Sequence, residues 1–412
     1  MDELTSCAGQ LVAGLAGLGS VGTTWAATTL RRASPLAKSG GGYGKEDLVV
    51  REQNGTRRVF DEVPAATGSQ LDQPQLTDPT TEANFPAHDF AHPELTDPDR
   101  RSAVLAGIEE QLQQLAEASP ARRNHASVHE AHTVTGFRSG DSWQWYTRST
   151  VELRVQLAAG GATAVARCFS CRADTLPLAA AWQLAVLELQ ARQHIGPSLL
   201  PPAGEEVLLA PPVLARVLSV VAVDLHRLRL GRPLLPRLAL LDDGRDPRGI
   251  ESAPFDVLGQ TTGSYQVVSR TGAVREPLPA FDAAGPVPDA GGYPGAARQS
   301  YWDAGPLGKP RNLRLESNGA LDPGRWTGPV ALAVRGAEAA HLRRSPDIDL
   351  TFDLVEMVDG QVRGPLGVQR LRTNAADLLE RFSQAGPVTG YLPFAESSCG
   401  AAWAVMSPEP VR

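Results

Sequence analysis

Apolar and polar positions alternate most cleanly in the middle of the first half of the chain. Val151, Leu153, Val155 and Leu157 interleave with Thr150, Glu152, Arg154 and Gln156, the period of a half-buried strand. Gly160-Gly161 then turns the chain into a second apolar run over 164–169. Helical spacing flanks this pair. Val104, Leu105, Ile108, Leu112 and Leu115 recur at three and four residues behind Asp97-Pro98, which supply a cap and a first-turn proline, and Pro120 lies beyond. Leu178, Ala181, Trp182, Ala185 and Leu189 mark a helix over 175–195, closed by Gly196-Pro197. Nearer the N-terminus, Leu4, Ala8, Leu11, Val12 and Leu15 predict a helix over 2–17, and the Thr-rich segment 21–30 predicts a strand. Asn54-Gly55 between 48–51 and 56–60 is a hairpin signal. Residues 62–98 are polar, Pro-rich and without period, and predict a long loop.

Pro201-Pro202 separates this pattern from a new one, so the expected organisation is two domains, 1–200 and 201–412, in an α+β protein. A strand is expected at 207–210. A single helix over 213–230 follows, with Leu214, Val217, Leu218, Val221, Leu225 and Leu228 in helical period. Its many valines lower its propensity, so burial has to hold it. The stretch 238–259 organises what comes next. A short apolar strand (Leu238 to Leu241) stops at Asp242-Asp243-Gly244, read as a sharp turn. A polar loop then leads through Pro254-Phe255-Asp256 to Gly259. Thr271-Gly272 predicts a hairpin between 264–270 and 273–278, and 279–310 a Gly- and Pro-rich loop. A short strand is expected at 312–315 and a long hairpin across Asp359-Gly360. A final helix, capped by Thr373, carries Leu378, Leu379 and Phe382.

Composition narrows the function classes. The 412 residues are 42% hydrophobic and carry a net charge of −7, which disfavours a broad nucleic-acid face. Four cysteines are too few for a disulfide framework, so reduced thiols and a cytoplasmic setting are expected. No apolar run reaches the roughly eighteen residues of a membrane span, and Met1-Asp2-Glu3 lacks the basic start of a signal peptide.

Several residues invite chemistry. His129-Glu130-Ala131-His132 looks like a metal motif. Its histidines are three apart among strand-favouring Val128, Thr133, Val134 and Thr135, where i and i+3 point to opposite faces. Cys168 and Cys171 have redox or half-zinc spacing without a second pair. Trp143, Trp145 and Tyr146 form an aromatic cluster read as core, or as a cleft or interface wall. Asp242 and Asp243 form a carboxylate pair, and Cys399 stands in Ser397-Ser398-Cys399-Gly400. No nucleophile elbow, P-loop or dinucleotide fingerprint is present.

The ordered set of the second half resembles the C-terminal domain of the TldD/PmbA family of zinc-dependent peptidase subunits. The set comprises strand and helix, Asp242-Asp243-Gly244, Phe255-Asp256 with Gly259, the hairpin at Gly272, Asn312-Leu313, the hairpin at Asp359-Gly360 and the last helix. The family works in pairs. A TldD-like subunit carries His-Glu-x-x-x-His on the first helix of this domain and, with a later cysteine, binds zinc; its glutamate is the general base. A TldE- or PmbA-like subunit lacks the histidines. Here that helix reads Ala215-Arg216-Val217-Leu218-Ser219-Val220-Val221-Ala222-Val223-Asp224-Leu225-His226, with Val220 and Val221 where ligand and base would stand.

The resemblance therefore implies a TldE-like partner without catalytic residues or a metal of its own, zinc being expected in a TldD-like subunit. The pair would form a heterodimer that hydrolyses amide bonds in small or unfolded peptide-like substrates, including antibiotic precursors. Asp242, Asp243 and Cys399 would be cleft or architectural residues. Two other readings stay open: a stand-alone hydrolase using Cys399, and a binding or scaffold protein.

Overall fold

The computed structural model describes residues 23–35, 46–53, 56–60, 98–119, 121–139, 142–193, 206–232 and, between breaks at 257–259, 278–291, 300–305, 342–346, 395–397 and a few single positions, 234–407; along β1–β3 and parts of other strands only the backbone path is described. The helix expected over 2–17, the loop over 62–98 except its last residue, and Pro201-Pro202 lie outside the described residues.

Strands β1 (Thr23–Pro35), β2 (Glu46–Gln53) and β3 (Thr56–Phe60) precede helix α1 (Pro98–Glu117). Strands β4 (Arg122–Ser139), β5 (Ser142–Ala159) and β6 (Ala162–Ser170) follow, then α2 (Leu178–Gln193). The six strands form one antiparallel sheet in the order β3-β2-β1-β4-β5-β6. The alternation read from 150–157 sets its layers. Val151, Leu153, Val155 and Leu157 are buried on the face that also buries Ile108 and Leu112 of α1 and Ala181, Trp182, Ala185 and Leu189 of α2. Glycines 160 and 161 make the β5–β6 turn at φ 57° and 81°, a backbone region glycine enters without steric cost.

Among the described residues, the rest of the chain builds two more large sheets and two two-stranded ones. β7 (Val207–Leu209) leads into α3 (Pro211–Val223) and α4 (Leu225–Leu230); then come β8 (Leu240–Asp243), β9 (Ser264–Val268), β10 (Asn312–Leu315) and β11 (Pro329–His341). β12 (Asp347–Val358) and β13 (Gln361–Asn374) form the long hairpin, and α5 (Ala375–Arg381) follows. Last are β14 (Phe382–Ala385), β15 (Gly390–Pro393), β16 (Ser398–Ala401) and β17 (Ala404–Met406). The five-stranded sheet runs β15-β16-β10-β8-β9 and the six-stranded one β13-β12-β11-β7-β17-β14. Only β16/β10 and β11/β7 are parallel within them. The result is a mixed α+β fold dominated by antiparallel sheets.

Four expectations are corrected in detail. The helix expected over 213–230 starts at Pro211, because proline at the first helical positions forfeits only N–H groups that have no intrahelical partner. It breaks at Asp224 (φ −101°, ψ 9°), whose N–H bonds to Val221 O in a tightened last turn. Asp242 and Asp243 continue the strand rather than turn it; the turn falls on Gly244 and Arg245. Asn374, not Thr373, caps the last helix, its side chain accepting the Asp377 N–H at 2.9 Å. Short strands interrupt the segment expected to be loop, at Gly292–Tyr293, Ala297–Gln299 and Pro306–Gly308. The hairpin at Gly272 closes through Ser269 N to Ala273 O at 2.9 Å and Arg275 N to Val267 O at 2.7 Å.

Candidate functional site

Helix α3 lies between the two sheets of the second half, against β11 on one side and β16, β10 and β15 on the other. That placement explains a helix apolar nearly all round, which is the signature of a helix buried on every side. Val220 is 5% exposed and Val221 fully buried, in the same apolar core as Cys399 on β16. Register sets Asp242, Leu313 and Cys399 abreast on neighbouring strands, with Tyr265 and Leu392 continuing the row. The positions singled out in the sequence thus converge on one core, and the donors there do not suit a zinc ion: valines supply none. Among the described residues, no three His, Cys, Asp or Glu side chains are grouped so that they could hold a metal.

The two aspartates tie backbone together. Asp242, 2% exposed, accepts the N–H groups of Arg311 and Asn312, both at 2.8 Å. Asp243 accepts the Arg245 N–H at 3.1 Å and faces Arg314 at 3.5 Å. Asn312, fully buried, is the hub of the polar loop after β8. Its Nδ2 donates to Asp243 O at 2.7 Å and Ser252 Oγ at 2.8 Å, and its Oδ1 accepts the Glu251 N–H at 3.2 Å. Arg311, 4% exposed, donates to the carbonyls of Gly295, Glu251 and Phe255. Asp246 in the same loop accepts Tyr391 Oη–H at 2.8 Å and a two-pronged Arg248. Burial would push the Asp246 carboxyl up, but the bonds from Arg248 and Tyr391 outweigh it and hold it below the usual value. Burial, with the Asp246 charge beside it, pushes Tyr391 well above the ordinary phenol range.

This loop also joins the two halves. Arg148 of β5 pairs with Glu251 at 2.9 Å, and the Tyr146 and Phe255 rings meet edge to face, centroids 5.1 Å apart. Cys171 donates its thiol to Pro247 O. Tyr146, of the aromatic cluster, therefore packs at the seam; the side chains of Trp143 and Trp145, and those of His132 and His226, lie outside the described ones. Cys168 is buried under the helices instead, where burial pushes its thiol up to about 12. His129 bonds Ser127 Oγ at 3.0 Å. Burial, helped by Arg154 and Arg167, holds it below the usual histidine value.

A cavity of about 580 Å³ opens at the same seam. β6 and β15, each the edge strand of its sheet, meet there with α2, the first turns of α3 and β11. Its walls are apolar except for Arg167, Glu188 and Arg216. Arg167 stacks over Phe169 on one wall, 5.2 Å from the ring centroid, and Arg216 over Phe394 on the other at 5.6 Å. Arg167 Nε also donates to Glu152 at 2.6 Å, as Arg154 does at 2.7 Å. These bonds outweigh burial and hold the Glu152 carboxyl below the usual range. Neither Arg167 nor Arg216 stood out in the sequence. The available signals were the i, i+2 spacing of Arg167 and Phe169 on a strand and a single Arg within the apolar run of α3.

No protein-family model matches the chain, and no curated protein matches its sequence. Solved structures do share its fold. TldE from Thermococcus kodakarensis superposes with a TM-score of 0.62 at 13% identity, covering 93% of this chain and 94% of that one. A candidate modulator of a DNA gyrase from Thermotoga maritima gives 0.57 at 13% identity, covering 93% and 95%. A candidate modulator of DNA gyrase from Bacteroides thetaiotaomicron gives 0.59 at 12% identity, covering 93% and 92%. The fold is that of TldE and these proteins along almost the whole chain.

Proposed function

We propose that this chain is the zinc-free, TldE-like subunit of a two-subunit amide hydrolase, paired with a TldD-like subunit that carries the metal. The carrying observation is α3: the architecture is kept, while Val220 and Val221 fill the core where a zinc ligand and a general base would have to stand. The chain's part is then surface: an interface with the TldD-like subunit and one wall of the cleft that closes over the substrate. The seam cavity, lined by two edge strands, suits an extended segment of a small or unfolded peptide, since a sheet edge offers unpaired main-chain groups. Peptide-derived antibiotic precursors are one such substrate.

Co-expression with a chain bearing His-Glu-x-x-x-His tests this. A stable heterodimer that cleaves an amide substrate is expected, with zinc in the partner. Cys399→Ala should leave its activity within a few-fold, and changing the partner's glutamate should abolish it. Hydrolysis by the isolated chain, lost in Cys399→Ala, would replace this reading with that of a stand-alone enzyme.

A further inference from the structure

We infer that the seam cavity reads main chain: the free edge of β6 takes three residues of an extended peptide as an antiparallel strand, and the cavity selects an apolar side chain at the middle one. The inference rests on the cavity being part of a peptide cleft and adds the length, direction and central residue of the segment it holds. β6 is the last strand of its sheet and pairs only with β5 among the described residues. Its two-residue turn makes Ala159 and Ala162 the closing pair. Residues 162, 164, 166 and 168 therefore turn their main-chain N–H and C=O groups to β5, and residues 163, 165, 167 and 169 turn theirs to the seam. The Thr163 carbonyl shows the same sense, since it accepts from Arg192 of α2.

Both ends of this edge are covered and the middle is open. Arg192 covers Thr163 at one end. At the other, β15 comes up against β6, so that a Cβ at Gly390 would lie 3.7 Å from Phe169 O. Between them, the N–H and C=O groups of Val165 and Arg167 meet no main-chain partner among the described residues. Both residues line the cavity, whose volume of about 580 Å³ is in the range of a small-ligand pocket. In an antiparallel pair each such residue exchanges both of its bonds with one residue opposite. Val165 and Arg167 thus need two partners two positions apart, a span of about 7 Å, and three residues supply them. The middle residue stands opposite Ala166, and its side chain shares the Ala166 face of the sheet. That face is packed by α2, whose Ala181, Leu184 and Ala185 line the cavity together with Val213 of α3 and Leu392 of β15. These walls are aliphatic and favour an apolar side chain leaving water. The start of α3 adds no main-chain donor of its own. Its first two residues are Pro211 and Pro212, and the Val213 and Leu214 N–H groups bond Ala210 O.

Titration calorimetry on the full chain with acetyl-Ser-Thr-Leu-Thr-Ser-amide tests this. Replacing the central Leu by Ser should weaken binding about tenfold or more, from lost apolar burial. N-methylation of either Thr, whose N–H faces β6, should weaken it about as much. N-methylation of the Leu, whose N–H points away from β6, should leave binding within about threefold. On the protein side, Val165 is 51% exposed. Val165→Pro removes one outward N–H without touching a β5 ladder bond, a position where edge strands accept proline, and should weaken the parent peptide about tenfold. Val165→Thr keeps the N–H and should bind as the parent does. Should Val165→Pro not fold, the methylation pattern decides alone. No binding, an equal effect of all three N-methyl groups, or equal binding of the Leu and Ser peptides would overturn the inference. A chain that binds no peptide but dimerises, its dimer lost in Val165→Pro, would overturn it too and assign the edge to a second copy. A failed heterodimer with the peptide pattern intact would overturn the subunit reading and leave this one standing.

Discussion

Asn312→Ala probes how the loop after β8 is held. Asn312 is fully buried and makes three side-chain hydrogen bonds, to Asp243 O, Ser252 Oγ and the Glu251 N–H. A typical bond is worth about 1 kcal/mol net, and a buried group left behind costs about 1–3 kcal/mol. Ser252 keeps its bond to Asp246 O at 2.5 Å, so the expected loss is about 3–5 kcal/mol. Gly249 approaches the same hub. A Cβ there would sit 2.4 Å from Asn312 Nδ2, 2.5 Å from its Cγ and 2.6 Å from Ser252 Oγ. Gly249→Ala alone should cost about 1–3 kcal/mol by overpacking. Removing the Asn312 side chain clears two of those three contacts, so the double variant should cost less than the sum by about 1–2 kcal/mol. Urea unfolding followed by tryptophan fluorescence measures this, provided the m-values agree. Additive penalties, or an Asn312→Ala variant within about 0.5 kcal/mol of the parent, would refute the hub.

Two further outcomes follow from the same geometry. Gly272 and Gly161 share a positive φ, 84° and 81°, but a Cβ at Gly272 would meet Leu234 O at 2.0 Å while Gly161 faces open space. Thermal unfolding should therefore show Gly161→Ala costing about 1 kcal/mol and Gly272→Ala clearly more; equal costs would show that the Leu234 contact is irrelevant. Asp246 has a folded pKa below its ordinary 3.8, so its stabilisation is complete above that value and fades as the pH falls through the folded one. Asp246→Asn should flatten the acid limb of the urea midpoint between about pH 2 and pH 5; an unchanged limb would assign acid lability to other groups.

Much of the candidate site was legible only as parts. Asp242, Asp243 and Cys399 were visible as residues, but a linear pattern cannot say that β16 lies beside β10, which brings Cys399 into register with Leu313 and Asp242. The short strands β14–β17 carry too few residues to show a period. The seam cavity draws on residues more than two hundred positions apart, such as Arg167 and Phe394, and no local spacing links them.

The sequence by itself determined the elements whose period is long and unbroken: the β5–β6 pair with its Gly160-Gly161 turn, helices α1 and α2, and the β12–β13 hairpin across Asp359-Gly360. Each is dictated by side chains that must share one face, or by a backbone angle few residues accept. Tertiary structure alone decided where the valine-rich helix went. A run apolar on all sides can satisfy itself only by burial on all sides, and two sheets closing over α3 provide it. The same tertiary arrangement sets Asp242 against the Arg311 and Asn312 N–H groups and brings Arg167 and Arg216 to a common space.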